Sequence, residues 1–514
     1  MHRDLDALRE GTFDLLIVGG GITGAGVALD AAARGLRVAV VDKGDFASGT
    51  SSVSSKLVHG GLRYLEHGYF HLVYEALHER TRLLRNAPHL VRPLRFIIPF
   101  YRAARLPGWK WRVGLTLYDL LAGRGNIRRS RPIPLSDLRR EFPTLKPANL
   151  LGGAEYYDAQ MDDARLCIEV HKTAVSLGAR ACNYVEVAGF EQAGSLTHTQ
   201  CVDRLGNNTF TVHARQVLNA AGPWVDSVCA RAGDTRGPQL RPTKGIHIIT
   251  ANPGLHAALL LLHPADGRVF FVIPWLHTHL LIGTTDTKED VSPDGLKVRQ
   301  DEIDYLLTGY NHHFEPGLQS EAVQGSFAGL RPLIRSRPED PAAMSREYRL
   351  IESPGGLLSA AGGKYTTYRQ MAEEITDVVM ARLGRRGRCR TRDMPLDGAP
   401  LEGWETFVAA EVQRLRQRGL EASAARHLVD RYGRRASEVA NDLNRDGSGH
   451  KSIIAGEPDL RGELIYQSEQ EMAQTQADCL LRRTRLGLMY PHLLEPDRET
   501  PIPTHPGQRG ASAP

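Results

Sequence analysis

The apolar positions near the start of the chain come in two short, almost unbroken runs, Phe13 to Val18 and Leu36 to Val41. Runs without polar alternation predict strands covered on both faces, as in a parallel sheet. Between them, Ala25 to Arg34 predicts a helix. The turn joining the first strand to the helix carries Gly19, Gly21 and Gly24 as G-x-G-x-x-G. The first glycine permits a tight turn, the second lets backbone approach a pyrophosphate, and the third lets helix pack on strand. The helix N-terminus then faces the phosphates with unpaired amides. Asp42 ends the second strand, where a carboxylate suits a ribose 2′-hydroxyl. The unit is expected to bind a dinucleotide. NAD and FAD both use it.

The same strand-then-glycine form returns twice. QVLNAAGPWVD predicts a strand ending against a ligand at Ala221 and Gly222, with Trp224 packed behind it. GGLLSAAGGKYTTYR predicts a strand, Gly362 and Gly363, then a helix whose start carries Lys364, Thr366 and Thr367. A discontinuous nucleotide-binding domain is therefore expected from residues 10–70, 160–235 and 325–385. Residues 70–150 and 240–320 are assigned to a cap, in which RVFFVIPWLHTHLLIGTTDT predicts two strands and a turn. Beyond Arg385 the pattern becomes short helical segments, giving a separate unit over 390–495. Residues 496–514 are proline-rich and are expected to be disordered. The fold class is α/β plus α: an interleaved Rossmann-like domain, an antiparallel-sheet cap and an all-helical C-terminal domain.

Between Thr50 and Leu65 the pattern fits no element interior: TSSVSSKLVHGGLRYL holds many hydroxyls, two glycines, a lysine, a histidine and an arginine. It reads either as a surface loop or as the liner of a charged cofactor and substrate. Thr50, Ser51, Ser52, Ser55, Lys56, His59 and Gly60 are the cofactor candidates, joined by Gly363 and Thr366. Pyrophosphate and an isoalloxazine edge both present acceptors that need such donors.

Composition narrows the classes. The 514 residues are 41% hydrophobic, enough for two or three cores, and 64 basic against 59 acidic residues leave only +5. That balance carries no concentrated basic stripe, so no nucleic acid partner is expected. Six scattered cysteines without a CxxC pair predict reduced thiols in a cytosolic setting. The opening MHRDLDALREGTF is charged, and neither a secretory peptide nor an amphipathic presequence is expected. Leu15 to Leu29 is too short and too glycine-rich to span a bilayer. The segment from Tyr101 to Arg131 mixes Arg and Lys with Trp109 and Trp111, which predicts either a peripheral membrane contact or a buried helix with a basic rim. His312–His313 and His277/His279 lack acidic or cysteine partners for a ligand set, so no metal is expected.

The stretches DLLIVGGGITGAG, TSSVSSKLVHGGLRYLEHG, MDDARL, NAAGPWVD, KGIHI, VIPW with LLIGTTD, GLRPL and GGKYTTYR resemble, in this order, the FAD-dependent, aerobic-type glycerol-3-phosphate dehydrogenase family. The resemblance covers nearly the whole chain. It implies FAD, oxidation of sn-glycerol 3-phosphate to dihydroxyacetone phosphate by hydride transfer from C2 to flavin N5, and reoxidation by a membrane quinone. It further implies a cytoplasmic homodimer attached peripherally to the inner face of the membrane. The alternative is an oxidase of the same substrate that passes electrons to oxygen and releases hydrogen peroxide.

A phosphate dianion with a secondary alcohol needs cations at one end and a proton acceptor at the other. Arg63, Arg331, Arg346 and Lys364 are the cationic candidates, with Tyr64 as a phenolic donor. His247 in TKGIHIITA is the candidate base. Arg331 is the alternative catalytic group, steadying a developing alkoxide by charge.

Overall fold

The computed structural model describes residues 1–102, 106–234, 237, 240–276, 278–288, 292–334, 348–443 and 449–495. Arg346 and the proline-rich tail expected to be disordered lie outside the described residues.

The first apolar run forms the strand Thr12–Val18, and the second is shorter than its apolar stretch, Val38–Val41. Thr12–Val18 pairs in parallel with Val38–Val41 on one side and with Thr209–Asn219 on the other. Leu358–Ala361 adds beyond Thr209–Asn219, again in parallel, and Arg180–Cys182 adds beyond Val38–Val41. Stretches far apart in sequence thus share one sheet. Its alternate residues serve two cores. Leu15, Ile17, Val38 and Val40 point to the side of helix Ile22–Ala33 and helix Tyr368–Arg382, while Leu16, Val18, Ala39 and Val41 pack on the opposite face. Burial on both faces is the reason these strands lack polar alternation. The helix begins earlier than its apolar run predicts, at Ile22, with Gly24 inside the first turn. A side chain at Gly24 would collide with the Gly19 carbonyl.

The second sheet is built around Val91–Tyr101, Leu150–Met161, Thr243–Ala251, Ala258–Leu262, Val269–Trp275 and His279–Gly283. Its pairs are antiparallel except that of Ala258–Leu262 with Val91–Tyr101, which is parallel. The two strands and turn expected in RVFFVIPWLHTHLLIG are Val269–Trp275 and His279–Gly283. Val323–Arg331 also belongs to this sheet, antiparallel to Thr243–Ala251. The boundary expected at residue 325 therefore falls inside a cap strand. Gly325 explains why the strand reaches so far: only hydrogen fits there against the Leu488 carbonyl of the C-terminal unit.

That unit packs helices Trp404–Gln417, Ala422–Tyr432, Ala436–Asp442 and Arg461–Glu471 around a core that includes Leu415, Leu428, Tyr432 and Tyr466. Arg431 runs through it, its Nη1 3.0 Å from Glu463 and also paired with Asp459. Both acids of a His427, Asp459 and Glu463 cluster thereby share one arginine.

Candidate active site

A cavity of about 990 Å³ lies where the two sheets meet. Its lining brings together Gly19, Gly21, Asp42, Thr50, Ser51, Ser55, His59, Gly60, Arg63, Tyr64, Ala221, Gly222, His247, Arg331, Gly363, Lys364 and Thr366. Thr284, Thr285 and Asp286 of the cap edge reach it too. Gly24 stands behind it, under Gly19. Ser52 and Lys56 are not on the lining. Lys56 is buried with its Nζ 2.7 Å from Asp163 Oδ1 and 3.0 Å from the Ser52 carbonyl. It acts as an internal strut, since the same Asp163 accepts from the Ser54 hydroxyl at 2.8 Å and so folds the serine-rich loop back on itself.

At one end, Asp42 is half-buried on the cavity wall, with Oδ2 accepting from Gly20 N–H at 2.6 Å and Oδ1 from Gly44 N–H at 2.8 Å. Burial pushes its carboxyl up to about 6 against the pull of those amides. The helix after Gly21 has no side-chain cap. Its amides at Gly21, Ile22 and Thr23 border the cavity, where Ser51 Oγ accepts from Ile22 N–H at 2.9 Å. Trp224 is a correction. Instead of packing behind its strand, it is turned onto the lining by the short helical turn Gly222–Trp224, and its Nε1 donates to Asp294 Oδ1 at 3.1 Å. Lys43 Nζ reaches the same carboxylate at 2.9 Å and stands 4.4 Å from the indole centre.

At the other end, the serine-rich loop meets the cap. His247 Nε2 is 2.9 Å from Ser55 Oγ, its ring stacks on Phe327 at 5.1 Å, and its Nδ1 has no hydrogen bond among the described residues. Burial first, then the Arg331 and Lys56 charges, lower its pKa to about 3, so the imidazole is neutral at neutral pH. Arg331 is fixed in four directions: Nη1 donates to Asp286 Oδ1 at 3.0 Å and Thr243 Oγ1 at 3.4 Å, Nη2 to Thr284 Oγ1 at 2.9 Å and the Thr285 carbonyl at 3.0 Å. Lys364 Nζ stands 4.0 Å from the centre of the Tyr64 ring, a cation over an aromatic face.

Comparison with known proteins gives these features a common origin. Residues 14–369 match the family described as FAD dependent oxidoreductase, and residues 389–495 match the C-terminal domain of alpha-glycerophosphate oxidase. The aerobic glycerol-3-phosphate dehydrogenase of Staphylococcus saprophyticus is 36% identical over 499 residues, covering 94% of this chain and 88% of that protein. The chain belongs to the FAD-dependent glycerol-3-phosphate dehydrogenase family. A solved glycerol-3-phosphate dehydrogenase from Bacillus halodurans, complexed with FAD, superposes with a TM-score of 0.79 at 33% identity, over 95% of this chain and 88% of that one. The L-alpha-glycerophosphate oxidase of Mycoplasma pneumoniae shares the fold, with a TM-score of 0.58 at 18% identity over 74% of this chain and 97% of that one.

The residues of this family member fit FAD. Gly19, at φ +115°, lies so close to Ala220 that a Cβ would stand 2.5 Å from its carbonyl oxygen, and the neighbouring Gly21 leaves room for backbone to meet a pyrophosphate. Asp42 offers further lone pairs for a ribose. Along the wall Ser51, whose Oγ accepts from Ile22 N–H, keeps its hydroxyl proton to donate, whereas Thr50 Oγ1 donates to the Leu330 carbonyl at 2.7 Å and Ser55 Oγ meets His247.

Three residues that matter here escaped sequence reasoning. Gly60 N–H donates to the Tyr118 hydroxyl at 2.8 Å; that hydroxyl donates to Asp158 at 2.7 Å; Arg80 Nη1 holds Asp158 at 2.6 Å. This buried chain fixes the His59–Gly61 loop. Tyr118 sits on helix Gly108–Ala122, whose basic and aromatic flank drew attention to its outer face instead. Asp158 is buried in the strand Leu150–Met161.

Proposed function

We propose that this chain oxidises sn-glycerol 3-phosphate to dihydroxyacetone phosphate, with FAD as the bound oxidant. The observation that carries the reading is the joint lining of one cavity by a dinucleotide cradle, a neutral buried histidine and the cations Arg63, Arg331 and Lys364. FAD supplies the hydride acceptor. Everything else falls to the protein. Lys364, Arg63 and the Tyr64 hydroxyl hold the phosphate dianion, and Arg331, locked by Asp286, Thr284 and Thr285, steadies negative charge growing on the C2 oxygen. The Ser55–His247 pair takes the hydroxyl proton as the C2 hydride departs. A neutral imidazole is the form that accepts it. The test is flavin reduction under anaerobic conditions, compared between glycerol 3-phosphate and glycerol.

The electrons then pass to a membrane quinone, with the chain held peripherally at the inner face of the membrane. Support comes from helix Gly108–Ala122, where Trp109, Val113 and Leu120 are 64%, 62% and 72% exposed, beside exposed Tyr69, Phe70 and Tyr74. Aromatic and aliphatic side chains with Lys110 and Arg112 among them suit an anionic lipid interface. Among the described residues, no helix is long and apolar enough to cross a membrane. The match of residues 389–495 to an oxidase's C-terminal domain favours a second reading, oxygen as acceptor. Peroxide yield with and without an added quinone separates the two. The family resemblance also implies a homodimer, which sedimentation of the purified protein tests.

A further inference from the structure

Asp45 is an acid sealed inside the protein, three residues beyond the ribose-side Asp42, and its partners come from the far end of the chain. Its Oδ2 accepts from Arg482 Nε at 2.5 Å and from Arg483 Nη1, and its Oδ1 accepts from Arg483 Nη2 at 3.1 Å and Asn183 Nδ2 at 3.0 Å. The arginines are themselves pinned inside the C-terminal unit. Arg483 Nη2 donates to the Glu471 carbonyl at 2.6 Å, and Arg482 Nη2 pairs with Asp478 at 2.5 Å. The neighbouring Asn183 also donates to the Met472 carbonyl at 2.8 Å.

The residue after Asp45 reaches the glycine turn. Phe46 is fully buried, and it occupies the space beside Gly20 that any side chain there would need. Its other side stacks on His171 with ring centres 4.3 Å apart. The Gly20 carbonyl accepts from Ala47 N–H at 3.1 Å and lies 3.0 Å from His171 Nε2. Burial lowers the His171 pKa to about 4, so this neutral ring donates from Nε2. Asp42 meanwhile holds Gly20 N–H from the other side. Both polar groups of Gly20 are thus fixed by the loop that Asp45 anchors.

We propose that Arg482 and Arg483 of the C-terminal unit are positioning residues for FAD, holding Asp45 so that Phe46 and Ala47 set the Gly19–Gly24 turn in its dinucleotide-receiving form. Neither arginine lines the cavity. They act through Asp45 and Phe46, and the helical unit becomes a clasp on the cofactor. The inference rests on FAD occupying the cavity described above.

The experiment measures FAD release from purified holoenzyme after dilution, by recovery of free-flavin fluorescence, and the melting temperature of each protein with and without FAD. The variants are Asp45→Asn, Arg482→Gln and the milder Arg482→Lys, which keeps the charge but loses the Nε bond. Release is expected to quicken by about tenfold or more in Asp45→Asn and Arg482→Gln, the scale of a lost charge-assisted hydrogen bond. The melting-temperature gain on adding FAD is expected to shrink, while KM for glycerol 3-phosphate at saturating FAD is unchanged. Should the first two variants fail to fold, the release rate of Arg482→Lys decides. Wild-type release rates in the folded variants, or equal loss of stability with and without FAD, overturn the proposal. A wild-type protein that takes up no FAD instead defeats the reading of the cavity itself.

Discussion

The Ser55 hydroxyl oxygen lies 2.9 Å from Nε2 of His247, joining the serine-rich loop of the nucleotide-binding side to the cap strand Thr243–Ala251. The pair faces the cavity from both sides of the junction. Replacing His247 by Asn is expected to slow anaerobic flavin reduction by about two to four orders of magnitude, the range for a lost general base. Because burial lowers the imidazole to about 3 from 6.5, kcat/KM of the wild type should carry no His247 inflection between those values. An inflection near 6.5 that disappears in the variant would contradict this placement.

The same burial has a stability consequence. Unfolded His247 takes a proton as pH falls through 6.5, whereas the folded ring resists until about 3. The native state therefore loses stability across that window on acidification. His247→Phe should lessen the acid-induced fall in melting temperature over that range. An unchanged slope would show that the ring titrates normally.

Lys364, 4.0 Å above the Tyr64 ring, supplies charge at the end assigned to phosphate. Lys364→Met is expected to raise KM for glycerol 3-phosphate by about 10–100-fold, the worth of a charged hydrogen bond, with FAD content unchanged. Steady-state kinetics checks it, and a fall in kcat alone would move Lys364 away from the phosphate.

Gly245 pairs with Gly329 across the strands Thr243–Ala251 and Val323–Arg331, and the guanidinium of Arg331, itself opposite Thr243, folds over it. A Cβ at Gly245 would stand 2.5 Å from Arg331 Nη2 and closer still to Thr284 Oγ1. Gly245→Ala should push the guanidinium aside and cut kcat at least tenfold by rough analogy with lost oxyanion donors, while visible flavin absorbance is kept. Wild-type kcat in a yellow variant would show that the position of Arg331 is not critical.

The nucleotide cradle was legible because its strands are buried on both faces and its glycines sit at contacts a Cβ would break, Gly19 against Ala220 and Gly24 against Gly19. The hydroxyl-rich loop was legible as a liner, yet composition could not separate Ser55, which faces the cavity, from Lys56, which turns inward to Asp163. That choice depends on a single backbone residue, Lys56 at φ +56°, and on an acid 107 positions away. The ties between Tyr118 and Gly60, and between Arg483 and Asp45, are long-range polar contacts with no local pattern. Periodicity marks which face of an element is covered, not which buried acid a remote arginine will reach.

The exposed face of helix Gly108–Ala122 makes its own prediction. Trp109→Ser combined with Leu120→Ser should release the protein from anionic liposomes in flotation, and reversing the charge of Arg102 and Lys110 should weaken binding in a salt-dependent way. Full retention of both variants would remove this helix from the membrane contact.

The most direct measurement is the visible spectrum of the purified holoenzyme before and after anaerobic glycerol 3-phosphate. Loss of the oxidised-flavin band with this substrate, and its persistence with glycerol, is the predicted result. A yellow protein whose spectrum ignores glycerol 3-phosphate would contradict the account.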